Sequence, residues 1–162
     1  MDVDTAWRRY FVLIREKCQR MLRDHGLADD VAQETFVRLW KSGIIGDDPR
    51  QVTAWLYRTS TRIAIDRIRA ERRRAEVAEP SEAETAQDLA SLASPTDDVL
   101  AARQRLMRLS AALPEDELEM ALLWQVDGLT QREIAEVAKV SERTVRRTLQ
   151  RFEERLSGLE RS

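Results

Sequence analysis

Residues 128–156, GLTQREIAEVAKVSERTVRRTLQRFEERL, leave the chain few ways to fold. Two short amphipathic segments meet at a tight turn, and the second keeps its arginines off its apolar side. Thr130 and Glu133 have the T-x-x-E spacing of a capping box, in which each side chain accepts from the other residue's backbone N–H. Ile134, Ala135 and Ala138 form a narrow apolar face on the first helix. Ser141 is placed to cap the second, and Val145, Leu149, Phe152 and Leu156 recur at helical spacing along its inner side. Glu142, Arg143, Arg146, Arg147, Gln150 and Arg151 are left facing outward. That is the layout of a helix-turn-helix whose second helix enters a DNA major groove. A solvated helical hairpin has the same local pattern, so the rest of the chain has to decide.

With 162 residues, 35% of them charged and only five glycines, the composition favours long surface helices over sheet. No sustained period-2 alternation of β-branched residues occurs, and an all-α fold is expected. The formal charge of -2 hides a partition. Residues 51–75 carry seven Arg against Asp66 and Glu71, a net of +5. Residues 76–100 carry seven acids and no Lys or Arg, a net of -7, and residues 131–162 carry eight basic residues against six acids, a net of +2. Such blocks matter more for partners than the sum does.

Cys18 is the only cysteine, so no internal disulfide can form; it falls with Phe11, Ile14, Met21 and Leu22 on an apolar stripe and is expected to be packed. His25 is the only histidine, which excludes a zinc site built from Cys and His. No glycine-rich phosphate loop is present. An enzyme would have little to work with here, and no catalytic residue, metal or cofactor is expected. The start is polar and charged and no apolar run approaches the ~18 residues of a membrane span, so a cytoplasmic protein without a membrane segment is expected.

Along the chain, the spacing predicts a first helix over about residues 5–25, ended by Gly26. A second opens at Ala28 or Asp29 and closes near Gly43, with Val31, Ala32, Phe36, Leu39 and Trp40 on one side and Asp30, Gln33 and Glu34 facing elsewhere. Residues 42–51 read as a loop leading to Pro49 at the first position of a third helix, roughly residues 49–74. In that helix Val52, Leu56, Thr59 and Ile63 face inward, and its end, DRIRAERRR, is nearly all charge. Residues 75–96 are rich in Glu, Ala, Ser and Thr and poor in bulky apolar side chains; they read as a flexible acidic linker, with room for a short helix near 86–93. Helix resumes near Asp97, carries Leu100, Leu106, Leu109 and Leu113, and stops before Pro114. Another follows over about 115–127 with Leu118, Leu122 and Trp124, ended by Gly128. The expected architecture is two small helical domains, residues 1–75 and 97–162, joined by the linker 76–96.

Three segments in this order resemble one family. DDVAQETFVRLW resembles sigma-70 region 2, which grips RNA polymerase, and TAWLYRTSTRIAIDRIRAERRR resembles the adjoining part that opens promoter DNA. LPEDELEMALLWQVDGLTQREIAEVAKVSERTVRRTLQRFEERL resembles region 4. The short linker and the missing intermediate regions are those of the extracytoplasmic-function group of alternative sigma factors, and the likeness covers nearly the whole chain.

The resemblance implies roles for particular residues. Asp30, Gln33 and Glu34 match positions that contact the coiled coil of the polymerase β′ subunit, with the β subunit a further partner. Acidic and amide groups a turn apart suit an Arg-rich helix. Asp30 also fits a solvated face or a charge favouring the helix dipole. Arg58, Arg62, Arg67 and Arg69, followed by Arg72, Arg73 and Arg74, form a cationic surface for the melted -10 strand, with residues 42–51 holding a flipped base. Trp55 is either a stacking platform in that site or a core aromatic. In the helix-turn-helix, Arg143, Thr144, Arg146, Arg147 and Arg151 would read the -35 duplex, with Gln131 and Arg132 on phosphates at a helix N-terminus. The acidic stretch Glu76, Glu79, Glu82, Glu84 and Asp88 either threads the polymerase's RNA-exit path or serves as a solubilising spacer.

Two positions depart from the family pattern. Thr61 and Arg62 stand where an Arg-Asn pair is common. Lys139 occupies a turn position usually held by glycine, where a left-handed backbone costs on the order of 1 kcal/mol for another residue. By analogy an anti-sigma protein is a further possible partner. The rival reading, a helix-turn-helix regulator acting without polymerase, accounts for residues 97–162 but leaves the first 75 unexplained.

Overall fold

The computed structural model describes residues 2–43, 48–94 and 98–161, without the side chains of 159–161. Among these residues the chain is all α, with eight helices: α1 Val3–Leu22, α2 His25–Ser42, α3 Pro49–Ala75, α4 Glu82–Ala93, α5 Val99–Ala112, α6 Glu115–Gln125, α7 Gln131–Ala138 and α8 Glu142–Arg161.

Local chemistry sets most of the ends. Asp2 caps α1 by accepting from the Thr5 N–H at 2.7 Å. The helix stops earlier than Gly26 because Arg23 turns left-handed (φ 54°) and Asp24 caps α2, accepting from the Leu27 N–H at 3.1 Å. Gly26 therefore lies in the first turn of α2, and the expected glycine stop is corrected. A carboxylate cap overrides the glycine signal because it satisfies backbone donors that would otherwise stay unpaired. The end of α2 follows expectation, with Gly43 at φ 68°. So does the start of α3, where Asp48 accepts from the Arg50 N–H at 3.0 Å and Pro49 takes the first position.

The three N-terminal helices share a core in which Ile14, Cys18 and Met21 of α1 meet Val31, Phe36 and Leu39 of α2 and Leu56 and Ile63 of α3. Trp7 stacks on Phe11 at 4.0 Å between ring centroids and meets Phe36 edge-on at 5.2 Å. Trp40 departs from its expected inward place and is 67% exposed. Leu39 fills the inward position, and the next residue on a helix points about 100° away. In α3, Thr59 is only half-buried, and Ser60 is the neighbour fully enclosed.

The stretch expected as a flexible linker contains α4. Ser81 and Glu84 make a reciprocal capping box, the Ser81 hydroxyl accepting from the Glu84 N–H at 3.2 Å and the Glu84 carboxylate from the Ser81 N–H at 3.4 Å. Ala86, Leu89 and Leu92 then bury one edge, and α4 packs on α5, α6 and α8. Asp88 receives both Nε and Nη2 of Arg108 at 2.9 Å. Average composition was the wrong measure here, since three apolar residues on one edge suffice once α8 covers them.

The C-terminal helices build the helix-turn-helix largely as expected. Gly128 (φ 66°) releases the chain from α6, and the Thr130 hydroxyl accepts from the Glu133 N–H at 3.2 Å, which is half of the expected capping box. Lys139 is left-handed at φ 56°. The Ser141 hydroxyl accepts from the Thr144 N–H at 3.1 Å, and Ile134, Ala135, Val145, Leu149 and Phe152 close the hairpin. On α5, Leu106 and Leu109 are buried, whereas Leu100, expected with them, is 62% exposed in the first turn. The two helical groups are not apart: Met21, Ala64, Ile65 and Ile68 meet Leu106, Leu118 and Leu122 around one small apolar void.

Candidate nucleic-acid and protein interfaces

Because Val145, Leu149 and Phe152 point inward from α8, the intervening positions point out. Arg143, Thr144, Arg146, Arg147, Gln150 and Arg151 are all exposed. Arg143, Arg146 and Arg147 form no ion pair with any described residue, so their guanidiniums are free to donate. Arg151 is held at the rim by Glu117 of α6 at 2.8 Å. Gln131 and Arg132 are exposed in the first turn of α7, Arg132 leaning toward Glu136 at 3.6 Å. Arg143, Arg146, Arg147 and Arg151 form a cationic row on α8, while Arg132 lines a hollow between α7 and α3 with Pro49, Arg50, Thr53 and Tyr57.

A second face lies on α2. Asp30 and Gln33 are exposed, and Glu34 is half-buried beside them. Glu34 is braced from both sides, by Arg38 one turn on at 2.8 Å and by Arg67 of α3 at 2.6 Å. The hydrogen bond from Arg67 holds the Glu34 carboxyl below the usual carboxylate range. Arg67 also lies 4.0 Å from Asp30, so this arginine orients the acidic face as well as belonging to the α3 row.

Three other α3 arginines, Arg58, Arg62 and Arg69, are drawn to the C-terminal helices. Arg58 and Arg62 reach opposite oxygens of Glu119 at 3.2 and 3.7 Å. Arg69 donates to the Leu113 carbonyl at 3.3 Å and lies 3.9 Å from Glu115. Glu119 is 2% exposed, and its burial raises its pKa despite the two arginines. Trp55 is half-buried and packs against the core while lining, with Arg58 and Arg62, a hollow that α7 closes. Residues 44–47 of the loop expected to hold a flipped base lie outside the described residues.

The sequence reading missed Lys17. It is fully buried and donates to the Tyr57 carbonyl at 3.0 Å, to the Thr61 hydroxyl and to Asp127 at 2.9 Å. Its position on the stripe Tyr10, Ile14, Lys17, Met21 was a signal, since a lysine at a core position needs a buried partner. Cys18 beside it is buried, with its thiol pushed up to about 11, and is chemically quiet. Among the described residues no group of His, Cys, Asp and Glu is placed to hold a metal ion, and no helix is long and apolar enough to cross a membrane.

An exposed arginine row on the second helix of a helix-turn-helix, an acidic face on α2 and a long arginine-bearing α3 together suit a helical DNA-binding protein. The profile of Sigma-70 region 2 matches residues 6–74, and that of a Homeodomain-like domain matches residues 101–160. The chain is similar to the ECF RNA polymerase sigma factor SigW of Bacillus subtilis, 32% identical over 88% of this chain and 80% of that protein. It is similar also to SigM of the same organism, 24% identical over 98% of this chain and 95% of its relative. A probable RNA polymerase sigma factor of Xanthomonas campestris, RfaY, is 28% identical over 80% of this chain, which spans 33% of that protein's length. The chain belongs to the extracytoplasmic-function group of the sigma-70 family, alternative sigma factors that direct transcription initiation.

Proposed function

We propose that this chain binds core RNA polymerase in the cytoplasm and brings it to promoters, with the work divided among residues 1–75, 76–96 and 97–162. Asp30, Gln33 and Glu34 would meet the β′ coiled coil, and the C-terminal part would lie on the β subunit. Arg58, Arg62, Arg67 and Arg69, with Trp55 beside them, would hold the melted -10 strand. Arg143, Thr144, Arg146, Arg147 and Arg151 would read the -35 duplex, with Gln131 and Arg132 on its phosphates. An anti-sigma protein covering these faces would silence the chain.

The observation that carries this reading is the exposed, unpaired row Arg143, Arg146 and Arg147 on the helix that follows a tight turn. The acidic face of α2 supports the polymerase assignment, because Asp30 and Gln33 are exposed on it and the hydrogen bond from Arg67 favours the ionised form of Glu34. Run-off transcription with core enzyme on a promoter library tests it, and site-selective transcripts dependent on this chain are expected. Asp30→Lys should lower copurification with core polymerase without changing the melting temperature, since an exposed pair at 4.0 Å contributes about 0–1 kcal/mol. Undiminished copurification of that variant would remove the placement of the contact.

A further inference from the structure

The two places where this chain departs from its family's pattern come together in the fold. Arg62 of α3 and Lys139, which ends α7, line one hollow of about 470 Å³, a size suited to a small ligand. The first departure moves the arginine of an Arg-Asn pair one place on, from buried Thr61 to half-buried Arg62 at the hollow. The second puts a lysine where glycine is usual, at φ 56°, a conformation that glycine takes without strain. Strain kept at a residue points to use of its side chain.

Trp55, Arg58 and Arg62 follow one another at intervals of three and four residues, so they share a side of α3 and span about 10 Å along it. Trp55, half-buried, gives the hollow a flat aromatic wall. Arg58 and Arg62 each meet one oxygen of Glu119 through Nε, at 3.2 and 3.7 Å, and a guanidinium has five N–H donors. Glu136 on the α7 wall is drawn by Arg132 at 3.6 Å, and Lys139 is exposed. Arg58, Arg62, Arg132 and Lys139 thus stand against Glu119 and Glu136, a surplus of two positive charges.

We propose that this hollow binds a nucleotide carrying two or more phosphates, with its base stacked on Trp55 and its phosphates held among Arg58, Arg62 and Lys139. Aromatic faces take any base by stacking, and guanidinium and ammonium groups together suit phosphate oxygens. Arg58 and Arg62 lie a turn apart and Lys139 reaches in from another helix, so a phosphate chain satisfies them better than a single phosphate does. An inorganic anion would leave the indole wall unused. The site needs no role of α3 in promoter binding, and Lys139 lies outside the residues proposed to touch DNA.

Calorimetric and fluorescence titrations of the full chain with ADP, GDP and inorganic pyrophosphate at low salt test this. ADP or GDP should bind saturably, one to one, and quench tryptophan emission. Pyrophosphate, which lacks the base, should bind about tenfold more weakly or worse. Lys139→Gly should lose about tenfold in nucleotide affinity while its urea midpoint is unchanged or higher, and Lys139→Arg should retain the affinity. Trp55→Phe should still bind but lose most of the quench. Absence of saturable binding up to millimolar nucleotide, equal binding of pyrophosphate, or full affinity in Lys139→Gly overturns the proposal. These titrations contain no polymerase or DNA, so their outcome is decided whether or not the chain directs transcription.

Discussion

Lys17 and Asp127 stand 110 positions apart in the chain and meet in an ion pair of 2.9 Å, each side chain 1% exposed. The pair joins the first helix to the turn that leads into the helix-turn-helix. Arg20 approaches the other Asp127 oxygen at 4.0 Å, and that oxygen accepts no hydrogen bond within the protein. Removing one partner leaves the other charge buried without its closest counter-ion. Lys17→Met should destabilise the chain by about 3–5 kcal/mol in urea unfolding, whereas Lys17→Met with Asp127→Leu should recover much of the loss. A single variant as stable as the parent would show that the charge is not buried in solution.

The pH response should carry two carboxylates of opposite sense. Glu119 has its pKa raised by burial, opposed by Arg58 and Arg62 of α3 and reinforced by Asp116 of its own helix. Its folded form holds the proton more tightly than the unfolded form. Its contribution is therefore full below the ordinary value of 4.5 and is lost as pH rises through its raised value. Glu34, lowered by Arg67, contributes above 4.5 and loses that contribution as pH falls through its lowered value. Glu119→Gln should flatten the fall in stability just above the ordinary carboxylate range and leave the acid limb intact. Chemical denaturation across that range checks this, and an unchanged profile would count against it.

The arginines of α7 and α8 should separate by role in duplex binding. Arg146→Ala or Arg147→Ala should cost ~1–3 kcal/mol on the cognate -35 sequence and relax preference at one base position. Arg132→Ala should weaken all sequences alike and reduce the salt slope by about 1. Binding isotherms on matched and mismatched duplexes at two salt concentrations distinguish the two patterns. Equal losses on every duplex for all three variants would assign the whole face to phosphates.

Lys139 closes α7 at φ 56°, a left-handed conformation that a side chain makes unfavourable, and it is exposed. Lys139→Gly should stabilise the chain by about 1 kcal/mol, less the greater freedom glycine brings to the unfolded state. A shift in the urea midpoint without a change in slope would register it. Destabilisation would mean that the Lys139 side chain makes a contact of its own.

Local signals were legible where they act over one or two turns. Pro49, Gly43, Thr130 and Ser141 marked helix ends correctly because capping involves neighbours only. The stripe Val145, Leu149, Phe152 dictated which arginines of α8 point outward, whatever else the chain does. The acidic stretch was legible in part: a short helix near 86–93 fits its sequence, but averaged composition hid the Ser81–Glu84 capping box that starts α4 at Glu82 and the edge Ala86, Leu89, Leu92 that α8 covers.

The sequence by itself determined the helices, their amphipathic faces, and the separation of an acidic α2 face from the arginine rows of α3 and α8, since each follows from side-chain spacing on a 3.6-residue period. Only the tertiary structure decided that Lys17 would find Asp127, that Glu119 would take Arg58 and Arg62, and that α4 would fold back on α8. Partners 61 and 110 positions apart leave no mark on any local pattern, because helix packing alone brings them within reach and excludes the water that would otherwise solvate them.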